Sequence, residues 1–427
     1  MQHYKGFTLF FFFLVTFLNS GLQVYSQAKL LIPMELEQTD HLRAYGVAYR
    51  HLLSGRELDW LLNYRGGAFM FDYSPELEAA CNEKGVYFEK INGTVAAQVY
   101  AEVQREDKNM EVIRLEKVAR IAVYVPPDTP PWDDAVQLVL EYAEIPYDTL
   151  WNEEVLAGEL KKYDWLHLHH EDFTGQYGKF FATFGTAPWY IKQVKLYEET
   201  AAKLGFKKVS QMKLAVVKEL NKYIYNGGFL FTMCSATDTY DIALATQNTD
   251  ICDAMFDGDP FDPEANGKLD YDECIAFRNF KINLNPYVYE YSDIDVTNEI
   301  FTLGESQDYF TLVDFSAKTD PVPTMLNQCH TALIKGFMGQ TTGFRKSFLK
   351  PGVTILAMNE GTEFVRYIHG NYGRGTFTFL GGHDPEDYTH AIGDPPTELK
   401  NFKNSPGYRL ILNNVLFPAA KKKKLKT

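Results

Sequence analysis

Leu220-Asn-Lys-Tyr-Ile-Tyr-Asn-Gly-Gly-Phe-Leu-Phe-Thr-Met-Cys-Ser-Ala236 reads as the end of a helix, a stop at Gly227-Gly228, a short apolar strand and an abrupt turn at Cys234. A strand that feeds a tight turn lifts one side chain clear of the sheet, and such a turn accepts only small residues two positions away. Thr232 and Ala236 satisfy that requirement. The pattern predicts a nucleophile elbow at the carboxyl end of a buried strand, and hence an α/β fold.

Upstream, two segments repeat one plan. Lys29 to Met34 is an apolar strand, Leu42, Tyr45, Tyr49 and Leu52 share one helical face, and Leu58 to Asn63 is a second strand. Arg120 to Val125, the face Val136, Val139, Leu140 and Ala143, and Tyr147 to Asn152 repeat it. Helices alternating with buried strands predict βαβ units and a parallel sheet. A flavodoxin-like α/β unit is therefore expected over 27–112, with Gln104 to Asn109 as linker to a larger, mainly parallel domain over 118–420. Further strands are expected at Tyr163 to His169, Phe364 to His369 and Thr376 to Leu380, the last two forming a hairpin. Ser405-Pro406 is the expected cap of a final helix, Tyr408 to Leu416.

The 427 residues carry a formal charge of −14, and 45% of them are hydrophobic. An acidic surface repels phosphate backbones, so nucleic acid is excluded as a partner. A basic start, an apolar run from Phe7 to Leu18 and small residues before Gln27 read as a signal peptide over 1–26, too short to span a bilayer. An exported protein, periplasmic or secreted and without a transmembrane span, is expected. Residues 421–427 form a basic tail. Five cysteines allow at most two disulfides and leave at least one thiol over; Cys252 and Cys274, which flank one loop, are the expected internal pair.

Chemistry concentrates where strands end. His167-Leu-His-His-Glu-Asp172, Cys234 with Ser235, and Gly381-Gly-His-Asp-Pro-Glu386 all follow predicted strands, and clusters at the carboxyl ends of parallel strands converge on one crevice. A thiol needs a base and backbone donors for an oxyanion. Cys234 is the expected nucleophile and His383 the base, with Glu386 or Asp384 to orient its ring. The substrate and oxyanion side is expected from His169, His170, Glu171, Thr174, Gly175 and Ser235. Two alternatives stand beside this one. His169, His170, Asp172 and His383 offer ligands for zinc in a metal-dependent hydrolase, and the same crevice suits a non-catalytic ligand-binding or structural protein. The aromatics Phe173, Tyr177, Trp189 and Tyr190 suit a sugar, peptide or other small-molecule ligand, or simply pack on the sheet.

The acidic stretch 250–273 reads as an insertion. Within it, Asp262 to Glu273 fits a twelve-residue calcium loop, with Asp262, Glu264, Asn266, Asp270 and Glu273 as side-chain ligands, Lys268 supplying a carbonyl, and Gly267 at the sharp turn. Calcium is the cofactor this loop suggests, and catalysis by Cys234 requires none. Pro260 and Pro263 oppose the entering helix of an ordinary EF-hand.

Tyr223 to Ala236, followed downstream by Gly373-Arg-Gly-Thr-Phe-Thr-Phe-Leu-Gly-Gly-His383, resembles the class I glutamine amidotransferase-like fold over roughly residues 118 to 420. The resemblance implies a cysteine, a histidine and a glutamate two residues beyond it. Here Pro385 holds that place and Glu386 follows. The whole chain also resembles exported proteins labelled asparagine synthetase B, which implies glutamine hydrolysis and ATP-dependent amide synthesis. The sequence carries neither the amino-terminal nucleophilic cysteine nor the Ser-Gly-Gly-x-Asp-Ser phosphate loop of such synthetases.

Overall fold

A computed structural model describes residues 28–127, 133–168 and 170–421. The expected signal peptide, His169 and the tail beyond Lys421 lie outside the described residues. Among the described residues no helix is long and apolar enough to cross a membrane.

The first sheet contains β1 (Lys29–Ile32), β2 (Leu58–Leu62), β3 (Ala68–Asp72), β4 (Glu89–Ile91) and β5 (Glu111–Leu115), in the order β4-β1-β3-β2-β5. Every pairing in it is antiparallel. This corrects the flavodoxin-like expectation for 27–112. The helix His41–Leu53 does carry the chain from β1 to a strand of the same direction, as the pattern implied. β3 then inserts between the two. The loop from Asn63 to Gly67 takes positive φ at Asn63, Arg65, Gly66 and Gly67, which turns the chain back within five residues. So short a return joins only antiparallel neighbours. The product is a split βαβ unit. Gln104 to Asn109 is a turn inside it, because β5 still belongs to its sheet, and the junction falls at 116–120.

The second sheet has ten strands. β6 (Ile121–Tyr124), β7 (Asp148–Leu150), β8 (Trp165–Leu168) and β9 (Phe229–Met233) run parallel to one another and to β15 (Gly375–Leu380). Beyond β15 the pairing turns antiparallel through β14 (Phe364–Tyr372), β13 (Thr354–Met358), β10 (Tyr309–Leu312) and β11 (Leu333–Lys335), with β12 (Phe344–Arg345) on β14. The expected mainly parallel sheet is thus a mixed one. The hairpin Tyr372 to Gly375 reverses the chain at β14–β15, and from there each strand runs opposite to its neighbour.

Alternation along the strands divides the interior. Leu30, Ile32, Trp60, Phe69 and Phe71 face a core that continues into Ile121, Val123, Leu410 and Leu416, so the first sheet and one face of the second share it. The helices His41–Leu53, Ala135–Tyr142 and Pro406–Leu416 fill the space between them. Ser405 caps the last of these by accepting the N–H of Tyr408 at 3.3 Å. The other face of the large sheet buries a second core under the helices Pro188–Lys203, Val209–Tyr225 and Asp238–Ala245. Phe173, Tyr177 and Tyr190 belong to this core and not to a ligand surface. The irregular region after Ala245 is tied down by Asp241, whose buried carboxylate accepts the N–H groups of Ile275, Ala276 and Phe277, each at 2.8 Å.

Candidate active site

β8, β9 and β15 lie side by side and parallel, so their carboxyl ends open onto one place. β9 is fully apolar apart from Thr232, and it delivers Cys234 into a left-handed turn with φ of 53°. A non-glycine residue rarely holds that conformation, and it persists only where its surroundings fix it. Here the N–H of Cys234 donates to the Gly382 carbonyl at 3.1 Å, tying the elbow to the turn after β15. That turn is pinned in its own right. Gly382 donates to Thr341 O at 2.9 Å and His383 to Met338 O at 2.8 Å. A side chain on Gly339 would strike Gly382 at 2.9 Å, so the segment 337–342 rides directly over the turn.

The same segment reaches the sulfur. The N–H of Gln340 donates to Cys234 Sγ at 3.2 Å, and the backbone N–H groups of Ser235 and Thr341 also favour the thiolate. Burial opposes them and wins, pushing the thiol up to about 11. The neutral thiol is the resting form at neutral pH.

Cys234, His170 and His383 line one cavity of about 250 Å³. His170 Nδ1 and His383 Nε2 face each other at 3.2 Å, and their rings stack with a centroid distance of 5.2 Å. His390 also stacks on His383, with ring centroids 4.5 Å apart. His390 stands between Asp133, 2.8 Å from Nε2, and Asp387, 2.9 Å from Nδ1. Burial works against its charge, but the two carboxylates outweigh burial and hold the imidazole at about 9. The site therefore contains a cation that the sequence did not reveal.

Other expected members go elsewhere. Asp384 is fully buried and accepts the Glu386 N–H at 2.8 Å, and the hydroxyls of Thr397 and Tyr408 lower its pKa against the larger effect of burial. Glu386 is raised by burial and turned toward Ser405. Both carboxylates thus serve the start of the final helix, while the acids at the histidine stack are Asp133 and Asp387. Glu171 pairs in the interior with Lys213 and accepts the Tyr197 hydroxyl at 3.2 Å. Thr174 donates both its N–H, at 2.7 Å, and its hydroxyl, at 2.6 Å, to Asp172. Gly175 packs on Ser210. Donors at the sulfur come from Gln340, Thr341 and Ser235, which replaces the expected contribution of Thr174 and Gly175. With Asp172 committed to Thr174 and to Gly178 N–H at 3.0 Å, the zinc set considered above keeps only His170 and His383 together among the described residues.

The acidic loop spends its oxygens on protein groups. Asp262 accepts Glu264 N–H and Thr249 hydroxyl, both at 2.9 Å, and pairs with Lys268. Asn266 exchanges two hydrogen bonds with the backbone of Ile282, at 3.0 and 2.8 Å, and Asp270 accepts Asp272 N–H at 3.2 Å. Asp262, Asp270 and Glu273 do not meet at one point; among the described residues the groups that converge are Asp250, Cys252 and Asp257. Lys208 fills that cluster, 2.6 Å from Asp250 and 3.0 Å from Asp257. The expected disulfide is absent. All five cysteines are free, and the Cys252 and Cys274 thiols donate to different carbonyls, Thr174 O and Asp241 O.

Gln340, His390 and Asp387 went unread in the sequence. Gln340 acts through its backbone, which no side-chain pattern reports. Asp133 sits beside the N-cap Asp134, which accepts Val136 N–H at 2.7 Å and Gln137 N–H at 3.0 Å; two acids at such a place read as a helix start in preference to a catalytic acid pair, because they complement the helix dipole.

No known protein family and no curated protein matches the chain. Among solved structures, two cytoplasmic proteins of Salmonella typhimurium align with it at TM-scores of 0.34 and 0.32, each 11% identical, each covering 71% of this chain and 100% of its own. An exo-beta-1,4-mannosidase of an Opitutaceae bacterium aligns at a TM-score of 0.27 and 12% identity, covering 68% of this chain and 35% of the mannosidase.

Proposed function

We propose that the protein is a cysteine hydrolase of amide or related acyl bonds, built on a large domain of the class I glutamine amidotransferase-like type. One observation carries the reading: Cys234 stands in a left-handed elbow at the end of β9, with backbone N–H groups at its sulfur and His383 on the wall of the same cavity. In this reaction His383 takes the thiol proton as the sulfur attacks the carbonyl carbon. The oxyanion forms beside the Gln340, Thr341 and Ser235 amides, and the leaving amine departs with the proton held by His383. Water then cleaves the thioester and regenerates the thiol. His390, charged and stacked on His383, fixes the plane of that ring.

The test is acylation. With a panel of aryl esters, peptide mass spectrometry of the wild-type protein is expected to find the acyl group on Cys234, none on the Cys234→Ala variant, and acylation roughly a hundredfold slower in His383→Ala. Absence of acylation from neutral to alkaline pH would sink the hydrolase. A second reading, a ligand-binding protein using the same crevice, is favoured by the burial that lifts the thiol to about 11. It predicts a thiol that no ester acylates.

A further inference from the structure

The cavity at Cys234 has a chemical character of its own. Besides the histidines its wall includes Phe180, Tyr289, Phe301, Met338 and Ile392. Phe301, on the helix Thr297–Leu303, is 64% exposed, and Tyr289 is 43% exposed. Large apolar rings held in water at the mouth of a cavity gain free energy when a ligand covers them. Tyr289 extends from that mouth to the reacting group. Its phenol is raised by desolvation first and by the Cys234 sulfur next. Phe180 packs against Tyr289 with ring centroids 5.9 Å apart and against Trp189 at 5.6 Å, so this wall is braced and keeps its shape.

The charged groups point the same way. Among the described residues that line the cavity there is no Asp, Glu, Lys or Arg. The cation among the described lining residues, His390, is already shared between Asp133 and Asp387. A free amino acid such as glutamine brings an ammonium, which meets no carboxylate among the described lining residues, and a carboxylate, which meets only an imidazolium already paired with two acids. The loss of water is costly for any ion, and the more so beside an apolar wall.

Resting on the hydrolase reading above, we infer that the site takes a neutral amide or ester whose acyl side carries an aromatic or similarly flat apolar ring, and that it rejects free glutamine. The ring lies on Tyr289 and Phe301, and the carbonyl reaches the amides of Gln340 and Thr341. Phe301 determines specificity without taking part in the reaction.

Calorimetry on the Cys234→Ala protein separates binding from chemistry. N-acetylphenylalaninamide is expected to bind at least about tenfold more tightly than glutamine, and Phe301→Ala to weaken the ring ligand by about tenfold while leaving glutamine unchanged. Because Phe301 is exposed, that variant keeps its fold. Equal or tighter binding of glutamine overturns the inference, and so does a Phe301→Ala variant that holds the ring ligand as before. If the ring ligand binds as expected and no ester acylates the wild-type thiol, the ligand class stands and the hydrolase falls. If simple acetyl esters acylate Cys234 and calorimetry shows no preference for the ring, the hydrolase stands and the ligand class falls.

Discussion

Replacing Asp308 by alanine is expected to remove about 3–5 kcal/mol of folding stability, the cost of leaving one partner of a buried ion pair without the other. Arg366 and Asp308 are both fully buried, with Arg366 Nη1 at 3.0 and 3.2 Å from the two carboxylate oxygens. Asn359 adds a hydrogen bond to Asp308 at 2.9 Å, and Gly336 lies so close beneath the carboxylate that a side chain there would strike it at 2.1 Å. In Asp308→Ala the guanidinium stays charged and dry. Urea unfolding should show a lower midpoint with an unchanged slope. The double variant Asp308→Ala with Arg366→Met should recover most of the loss, because no unpaired charge is left. Full stability in the single variant would mean that water enters the pair freely. The effect should also extend to the site. Arg366 Nη2 holds the Phe337 carbonyl at 2.5 Å, and Phe337 leads into the segment that presents its amides to Cys234. Acylation of Cys234 should slow in the single variant and recover less completely than stability in the double one.

The second large effect depends on pH. Asp238, fully buried behind the elbow, is raised by desolvation from 3.8 to about 7, while its Oδ1 accepts the Thr341 hydroxyl at 2.8 Å. Between those values the folded protein binds more protons than the unfolded chain. Stability therefore falls as pH rises through this window and levels off above it. An asparagine carries no charge to bury and can still accept from Thr341. Asp238→Asn should match the wild type below about pH 4 and exceed it by up to about 4 kcal/mol in mild alkali, as a shift of about three pKa units requires. A difference that stays constant across the range would show that Asp238 remains ionised in the fold. Since Thr341 also presents its amide to the sulfur, the variant separates stability from reactivity: a more stable protein whose Cys234 is acylated at the same rate would assign Asp238 to holding the loop alone.

How far the sequence could be read depends on whether its signals were local. The helix His41–Leu53 was legible because Leu42, Tyr45, Tyr49 and Leu52 fall on one face, and all four are buried. The direction of the sheet around it was not, because the placement of β3 between β1 and β2 is decided by pairing across the sheet. The parallel strands β6 to β9 and β15 were readable as apolar runs, and the reactive side chains that follow them, His170, Cys234 and His383, do meet in one cavity. What completes that cavity comes from the long stretches between elements. His390 follows a bend after β15, Phe301 stands on a short helix, and the Gln340 donor is a peptide group. None has a periodicity to reveal it. The acidic loop shows the opposite case: its spacing matches a motif, while in the fold Lys268 pairs with Asp262 and the Ile282 backbone with Asn266.

Four contacts made near the end of the chain bear on how the molecule is assembled. Leu115 bridges to Ala420, Glu116 donates to Ala419 O at 3.0 Å, and Arg409 donates to the carbonyls of Met34 and Gly66, at 3.0 and 2.9 Å. The first unit thus borrows part of its interior from residues synthesised more than three hundred positions later. During synthesis that unit can form its strands early, but the face under His41–Leu53 stays open to water until the helix Pro406–Leu416 has been made. Contacts of such sequence separation are slow to close and leave apolar surface exposed meanwhile. The growing chain therefore passes most of its synthesis with part of that face uncovered.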